Sequence, residues 1–325
     1  VLAVQRRELT TVQLGGTGLE LTRVGFGAWA LGGGNYEWGW GEQDDDRSIA
    51  AIHHALELGV NWIDTAAHYG FGHSEEVVGR ALAGLGEGER PYVFTKGGQP
   101  EGPGRTTTQN LARDSLRREL EASLARLGLD AVDLYQIHWP RPDEQIEEGW
   151  SALAEFKEEG LARHIGVSNF DVGQLRRIQP IAPVETLQPL YSLVDRRAED
   201  EVLPYAEQEG IGVIVYSPMG SGLLTGAMTR ERIAALPDDD WRTRSERFQE
   251  PQLSRNLELV ERLKAVADRL GVSPGAAAVA WVLRNPAVDG AITGFRRPEQ
   301  VDPIVAAGGL ELTDEDAAEL DGAGS

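Results

Sequence analysis

Eight short apolar runs, each followed by a stretch of helical periodicity, constrain this chain more than any other feature. The runs are VGFGAW (24–29), NWID (61–64), YVFTK (92–96), VDLYQIH (132–138), RHIGVSN (163–169), ETLQPLY (185–191), GVIVYS (212–217) and VDGAIT (288–293). Between the first two, DDRSIAAIHHALELG opens on acidic residues, repeats apolar residues at 49, 52, 55, 56 and 58, and closes at Gly59. QNLARDSLRRELEASLARLG sets Leu111, Ser115, Leu116, Leu120, Leu124 and Leu127 on one face and ends at Gly128; DEQIEEGWSALAEFKEEG behaves likewise. Strand and helix in strict alternation predict a parallel sheet covered by helices.

Two parallel architectures compete. A doubly wound dinucleotide-binding sheet opens with a strand, GxGxxG, a helix, and an acidic residue about 20 positions on. Here the first run leads instead into LGGGNYEWGWGEQDDD, a long loop without that spacing. A closed (β/α)8 barrel of about 250 residues plus insertions fits the count of eight better. ELTTVQLGGTGLELTRVGFG alternates around GGTG and predicts a β-hairpin ahead of the repeats. The longest insertion is 218–256, after the seventh strand, so extra helices and loops belong at the C-terminal end of the barrel. No Pro/Gly/Ser linker interrupts the chain, so residues 1–325 are expected to form one domain.

Composition narrows the function classes. A formal net charge of −21 argues against a sequence-independent grip on nucleic acid, which needs a basic surface. With no cysteine, disulfides, thiolate metal sites and thiol nucleophiles are excluded. No apolar run approaches the roughly 18 residues of a membrane span. The N-terminal VLAVQRRELTTVQL lacks a signal-peptide pattern, so a cytoplasmic protein is expected. His53, His54, His73 and His164 show no ligand spacing, and no metal is expected.

In a barrel, chemistry collects at the C-terminal ends of the strands. Those ends carry Asp64 with Tyr69 in the following loop, Lys96, His138, Ser168 and Asn169, Gln188, then Tyr216 and Ser217. Each alone reads as turn chemistry or a solvated end. Together they load one rim with polar groups, which turn formation does not account for. Asp64, Tyr69, Lys96 and His138 also form a coherent set. A tyrosine of pKa about 10 is a weak acid, an adjacent ammonium lowers it, and a carboxylate keeps that ammonium charged and oriented. A histidine beside them can donate a hydrogen bond to a substrate oxygen. The set suits proton donation to a carbonyl undergoing reduction.

DTAAHYGFGHSEEVVGRAL, FTKGG, DLYQIHWP, HIGVSNF and YSPMGSGLLTG, in this order, resemble the aldo-keto reductases from about residue 8 to about residue 320. The resemblance implies a (β/α)8 TIM barrel and hydride transfer between NADPH/NADP+ and a small-molecule carbonyl. It assigns Tyr69 as general acid and base, Lys96 and Asp64 as the pair that tunes it, and His138 as the group that orients the carbonyl. Ser168, Asn169 and Gln188 match positions that bond the nicotinamide carboxamide, and Tyr216 matches the residue under the ring. Ser217, Pro218, Gly220, Gly222 and Leu223 belong to the segment that wraps the pyrophosphate, where Gly220, Gly222 and Gly226 let backbone N–H groups approach phosphate. Gly294, Arg296 and Gln300 match the adenosine end, and Arg296 with Arg297 suits a 2′-phosphate. Pro303 and Ile304 replace the Glu-Asn pair of the pattern there, so a looser hold on adenine is expected.

Trp29, placed at the end of strand one, and Trp139 match substrate-pocket positions. With Tyr36, Trp38 and Trp40 they suggest a mouth for a flat apolar substrate, or a loop folded on itself. The resemblance places pocket variation in the loops after strands one, four and seven and in the C-terminal tail. Trp241 and Arg244 fall in a loop that can cover bound cofactor in similar proteins, and otherwise read as solvated. Ser74 with Glu75 and Glu76 reads as the cap of helix two, and His68 has no evident role. A second reading stays open: a cofactor-binding regulatory subunit of the potassium-channel β type, with slow catalysis.

Overall fold

The computed structural model describes residues 9–34, 36–86 and 88–322. The N-terminal stretch that lacks a signal-peptide pattern begins with residues 1–8, which lie outside the described residues. A hairpin comes first, β1 (Thr11–Gln13) paired antiparallel with β2 (Glu20–Thr22). Eight parallel strands then close into a barrel: β3 (Val24–Gly27), β4 (Trp62–Asp64), β5 (Tyr92–Gly97), β8 (Val132–Ile137), β9 (Ala162–Ser168), β10 (Thr186–Gln188), β11 (Gly212–Tyr216) and β12 (Gly290–Gly294). The short pair β6 (Glu101–Gly102) and β7 (Thr106–Thr107) forms a side hairpin after β5. The expected (β/α)8 TIM barrel with its leading hairpin is therefore present. The ring closes where Ala291 of β12 pairs with Val24 of β3.

Helices cover the outside of the ring. They are α1 (Asp45–Glu57), α2 (His73–Leu82), α3 (Arg113–Leu127), α4 (Ile146–Glu158), α5 (Val172–Ile178), α6 (Val202–Glu209), α7 (Arg230–Ala234), α8 (Gln252–Leu270), α9 (Pro274–Leu283), α10 (Asp302–Val305) and α11 (Asp314–Asp321). The inward faces of α3 and α4 bury Leu116, Leu120, Trp150, Leu153 and Phe156 against the strands. A separate apolar cluster fills the bottom of the barrel: Leu14, Leu19 and Leu21 of the hairpin pack on Trp62, Phe94, Leu134, Ile214 and Ile292. Trp62 fits there because residue 25 is glycine, where an added Cβ would meet the indole at 2.1 Å. The hairpin thus seals one end, and the polar rim is left at the other. Among the described residues, no helix is long and apolar enough to cross a membrane.

Two local expectations change. Trp29 does not close a strand: β3 stops at Gly27 and Trp29 begins a 3-10 turn, Trp29–Gly32. Ser74 does not cap α2, whose N-cap is Gly72 at φ +100. Its hydroxyl is buried and donates to the Ala28 carbonyl at 2.8 Å, while Glu75 pairs with Arg126. Both groups tie α2 to neighbouring elements, which is worth more in a buried setting than a cap facing water.

The turn after β5 is held by Glu119 of α3, whose Oε2 accepts from the Gly98 and Gln99 amides at 3.1 and 3.2 Å. Burial pushes its carboxyl up to about 7, against the pull of those amides. An unfolded chain loses that proton near pH 4.5, so between about 4.5 and 7 the folded state binds more protons. Stability therefore falls as pH rises through this window and is flat above it, by up to about 3 kcal/mol. Glu119→Gln is expected to remove this component, seen as a growing stability advantage of the variant from pH 5 to pH 8 in urea denaturation. A constant difference would show that the carboxyl titrates normally.

Candidate active site

Strand register brings the rim residues together. Gly27 pairs with Asp64, Asp64 with Phe94, Lys96 with Gln136 and Ser168 with Gln188, so side chains 124 positions apart meet inside one ring. Lys96 is wholly buried and Asp64 nearly so. The Lys96 Nζ donates to Asp64 Oδ1 at 2.5 Å and to the Thr65 carbonyl at 2.9 Å, and lies 3.4 Å from Tyr69 Oη. The other oxygen, Asp64 Oδ2, accepts from Gln188 Nε2 at 2.9 Å. Desolvation pushes the Asp64 carboxyl up and the Lys96 ammonium down; each partner's charge opposes the shift of the other.

Tyr69 is carried by a tight turn after β4 in which backbone meets backbone. Gly70 has φ +64, and a Cβ there would sit 2.4 Å from the Gly32 carbonyl oxygen. The Tyr69 ring stacks on Trp29 at 6.1 Å and meets the His138 ring edge-on at 5.6 Å. His138 follows β8, its amide donating to the Gly97 carbonyl at 3.0 Å. Its imidazole is held well below the usual histidine range by burial first, then by Lys96 and His68, and so is neutral.

The expected direction for Tyr69 is overturned. Its phenol is pushed well above the ordinary tyrosine value, by burial first and then by the Asp64 charge. Desolvation of a phenol that is 9% exposed outweighs an ammonium whose charge is already shared with Asp64. The phenol therefore stays protonated at neutral pH. His68 also finds its place: buried among the rings of Tyr36, Phe71 and His138, it is pushed down to about 4, mainly by burial, and is neutral.

These groups floor a cavity of about 1050 Å³ at the barrel mouth. Ser168, Asn169, Gln188, Tyr216 and Ser217 line one side of it, and Trp29 and Trp139 line it too. The first group is already bonded together: Tyr216 Oη donates to Asn169 Oδ1 at 2.7 Å, and Ser168 Oγ to the Gln188 carbonyl at 2.8 Å. Beyond Tyr216 the chain takes positive φ at Ser217 (54°), Gly220 (56°), Ser221 (57°) and Gly222 (93°). Pro218, Gly220 and Leu223 are buried and, with the half-buried Gly222, shape this loop without lining the cavity. Leu223 anchors it in an apolar cluster with Met228, Phe248 and Leu253.

The adenosine-end residues lie outside the cavity. The Arg296 guanidinium donates to Gln43 Oε1 at 2.6 Å and to the Glu42 carbonyl at 2.5 Å, and Gln300 Oε1 accepts from the Arg296 amide at 2.8 Å. Arg297 remains largely exposed. Gly294 ends β12, exposed.

Three further features complete the site; the loop of Trp241 and Arg244 is expected from the sequence as a cover for cofactor or a solvated loop, and the other two have no counterpart in the sequence-based expectation. Asp195 holds both Arg197, at 2.6 Å, and Arg247, placing two guanidinium groups on the cavity wall near Ser217 and Ser221. The rule that loaded the strand ends would have reached Asp195 and Arg197 one turn later; Arg247, 52 residues from its partner, carries no local signal. Residues Trp241–Phe248 lie across the mouth. The Trp241 amide donates to the Gly39 carbonyl at 3.1 Å and its ring stacks on Trp29 at 5.2 Å, while Arg242 pairs with buried Asp240 and covers the Trp40 ring. Arg244 bonds the Glu37 carbonyl. Finally, the turn and hairpin after β5 bring Gln99, Thr107 and Gln109 into the lining. Among the described residues none after Gln252 lines it, so the described part of the C-terminal tail does not shape it.

A parallel barrel with this buried rim set beneath a cavity of about 1050 Å³ is the arrangement of a barrel enzyme whose chemistry sits at the strand ends. The chain belongs to the aldo/keto reductase family, whose model matches residues 23–324. It is 38% identical over 305 residues to the aldo-keto reductase YhdN of Bacillus subtilis (strain 168), spanning 94% of this chain and 90% of that protein. It is 36% identical over 320 residues to an NADH-specific methylglyoxal reductase of Escherichia coli (strain K12), spanning 94% and 95%. Among solved structures, the glycerol dehydrogenase AKR11B4 from Gluconobacter oxydans superposes with a TM-score of 0.85 at 38% identity, covering 96% of this chain and 94% of that one.

Proposed function

We propose that this protein reduces an aldehyde or ketone to the alcohol, using NADPH, with Tyr69 as the proton donor. The observation that carries the reading is the buried Asp64–Lys96 pair aimed at Tyr69 Oη beneath the cavity. A bound reduced nicotinamide would supply the hydride. Around it, Ser168, Asn169 and Gln188 would hold the carboxamide, Tyr216 the ring face, and Ser217 to Gly222 with Arg197 and Arg247 the pyrophosphate. Positive-φ backbone beside two guanidinium groups is an anion cradle, which fits such a group. The neutral His138 orients the carbonyl oxygen between itself and Tyr69. Tyr69 then gives its proton to that oxygen, and the phenolate left behind is stabilised by Lys96, 3.4 Å away. Asp64 holds Lys96 in place throughout.

NADPH over NADH rests on Arg296 and Arg297 standing together after β12 in a chain of net charge −21. The similar E. coli protein is named NADH-specific, whereas a Schizosaccharomyces pombe protein, 30% identical over 302 residues, carries NADP(+) in its name. Fluorescence titration should give a Kd at least about tenfold lower for NADPH than for NADH. The ratio should collapse in Arg296→Ala/Arg297→Ala. Equal or inverted affinities would sink the preference. The reductase reading itself is tested by NADPH and NADH oxidation across short aldehydes and ketones. A protein that binds cofactor yet turns over none of them would return the regulatory-subunit reading.

A further inference from the structure

Gln136 is polar in the middle of the barrel, where packing alone favours an apolar side chain. It lies on β8, wholly buried, in register with Lys96 of β5 and Gly166 of β9. Only glycine fits at 166, since a Cβ there would sit 1.9 Å from Thr186 Oγ1. With no side chain between them, Gln136 reaches past β9 to β10, and its Oε1 accepts from Gln188 Nε2 at 3.3 Å. Gln136 Nε2 is enclosed and completes no hydrogen bond. A buried amide with one long hydrogen bond and one bare amine costs stability. An apolar side chain of the same length would carry no such cost, so stability does not account for the glutamine.

The orientation of Gln188 does account for it. Asp64, paired with Lys96, is an acceptor, so the Gln188 atom 2.9 Å from Asp64 Oδ2 is the amine Nε2. That nitrogen has two hydrogens; Asp64 takes one and Gln136 Oε1 the other. Gln188 also lines the cavity, and with both hydrogens turned inward it has only Oε1 to offer a ligand. We infer that Gln136 is a positioning residue, which locks the Gln188 carboxamide with its acceptor toward the cavity to receive the amine of a nicotinamide carboxamide. This rests on the reductase reading above. Without Gln136 Oε1 the second hydrogen loses its acceptor, and Gln188 is free to turn a donor toward the cavity, where it meets a ligand amine donor to donor. The same lock steadies Asp64: burial raises its carboxyl, and Lys96, then Gln188 and last Gln136 draw it back down.

The test uses whichever of NADP+ and NAD+ the protein binds more tightly, and its 3-acetylpyridine analogue, which keeps the carbonyl and replaces the amine by a methyl group. Binding is read by quenching of tryptophan fluorescence, with no turnover involved. The wild-type protein should bind the natural dinucleotide about tenfold more tightly than the analogue, the worth of one good neutral hydrogen bond. Gln136→Met keeps side-chain length and removes the acceptor and the bare amine together. It should cut that ratio to about threefold or less, chiefly by raising Kd for the natural dinucleotide, with a urea midpoint at or above that of wild type. Gln136→Glu, kept protonated by burial, retains an acceptor for Gln188 and should hold the wild-type ratio. A wild-type ratio near one, a ratio unchanged in Gln136→Met or lost in Gln136→Glu, or a urea midpoint clearly lowered in Gln136→Met overturns the positioning role and leaves the reductase reading standing. Binding of neither dinucleotide overturns both.

Discussion

Tyr69→Phe is expected to lower kcat for carbonyl reduction by about 10²–10⁴-fold, the range that a positioned proton donor contributes. The substitution removes one oxygen and little else. The Phe ring can keep the stack on Trp29, 6.1 Å away, and the Lys96 ammonium 5.1 Å from its centroid. Only the 3.4 Å contact to Lys96 Nζ is lost, so stability should change by about 1 kcal/mol or less. Cofactor Kd should stay within about twofold, because no backbone or side chain of the anion cradle is touched. The pH profile of the wild-type protein adds a second check. The phenol is pushed above its ordinary value, so its protonated fraction is full through neutral pH and falls only in strongly alkaline solution. Reduction limited by this donor is therefore flat across neutral pH and lost at the alkaline end. Full turnover in Tyr69→Phe, or an alkaline limb below about pH 9, would remove Tyr69 from the role.

The barrel and most of its rim are legible in the sequence because strand ends set both. Short apolar runs bounded by turn residues give the strands to within a few positions, and parallel register then forces their last residues onto one ring. The misplacements have local causes. The run at 185–191 ends as a strand at Gln188 because Pro189 has no amide to donate. The run at 24–29 overshoots because Ala28 and Trp29 turn into the 3-10 segment that brings Gly32 against Gly70. The strap that stacks Trp241 on Trp29 joins residues 212 positions apart, and no periodicity encodes that contact. The sign of the Tyr69 shift is hidden for a different reason. A lysine near a tyrosine is visible in a motif, but the degree of burial that reverses its effect belongs to packing. The unpartnered Gln99 and Gln109 side-chain oxygens beside the cavity are invisible for the same reason, since such an atom is defined only by its surroundings.

Stability and catalysis should separate at the Asp64–Lys96 pair. Lys96→Met leaves the Asp64 carboxyl in a site 2% exposed with its ammonium partner gone. Removing one member of a buried pair costs about 3–5 kcal/mol, because the survivor is an uncompensated charge. The low end is expected here, since Gln188 Nε2 still donates to Asp64 and the carboxyl, already raised, can take up a proton. Asp64→Asn combined with Lys96→Met removes both charges, and the carboxamide oxygen so introduced can still accept from Gln188. The double variant should regain most of the lost stability, giving a coupling energy of about 2–3 kcal/mol in a urea-denaturation cycle. Turnover should not follow. Without the ammonium near Tyr69 Oη, nothing stabilises the phenolate that proton transfer leaves behind, and kcat should remain at least about 10²-fold down in the single and the double alike. A Lys96→Met protein as stable as wild type would show that the pair is not ionised when buried. A double variant that recovers turnover would show that the charges serve folding rather than chemistry. A neutral pair would fill this space at lower desolvation cost, so the presence of charge is what the proposed proton donation by Tyr69 would call for.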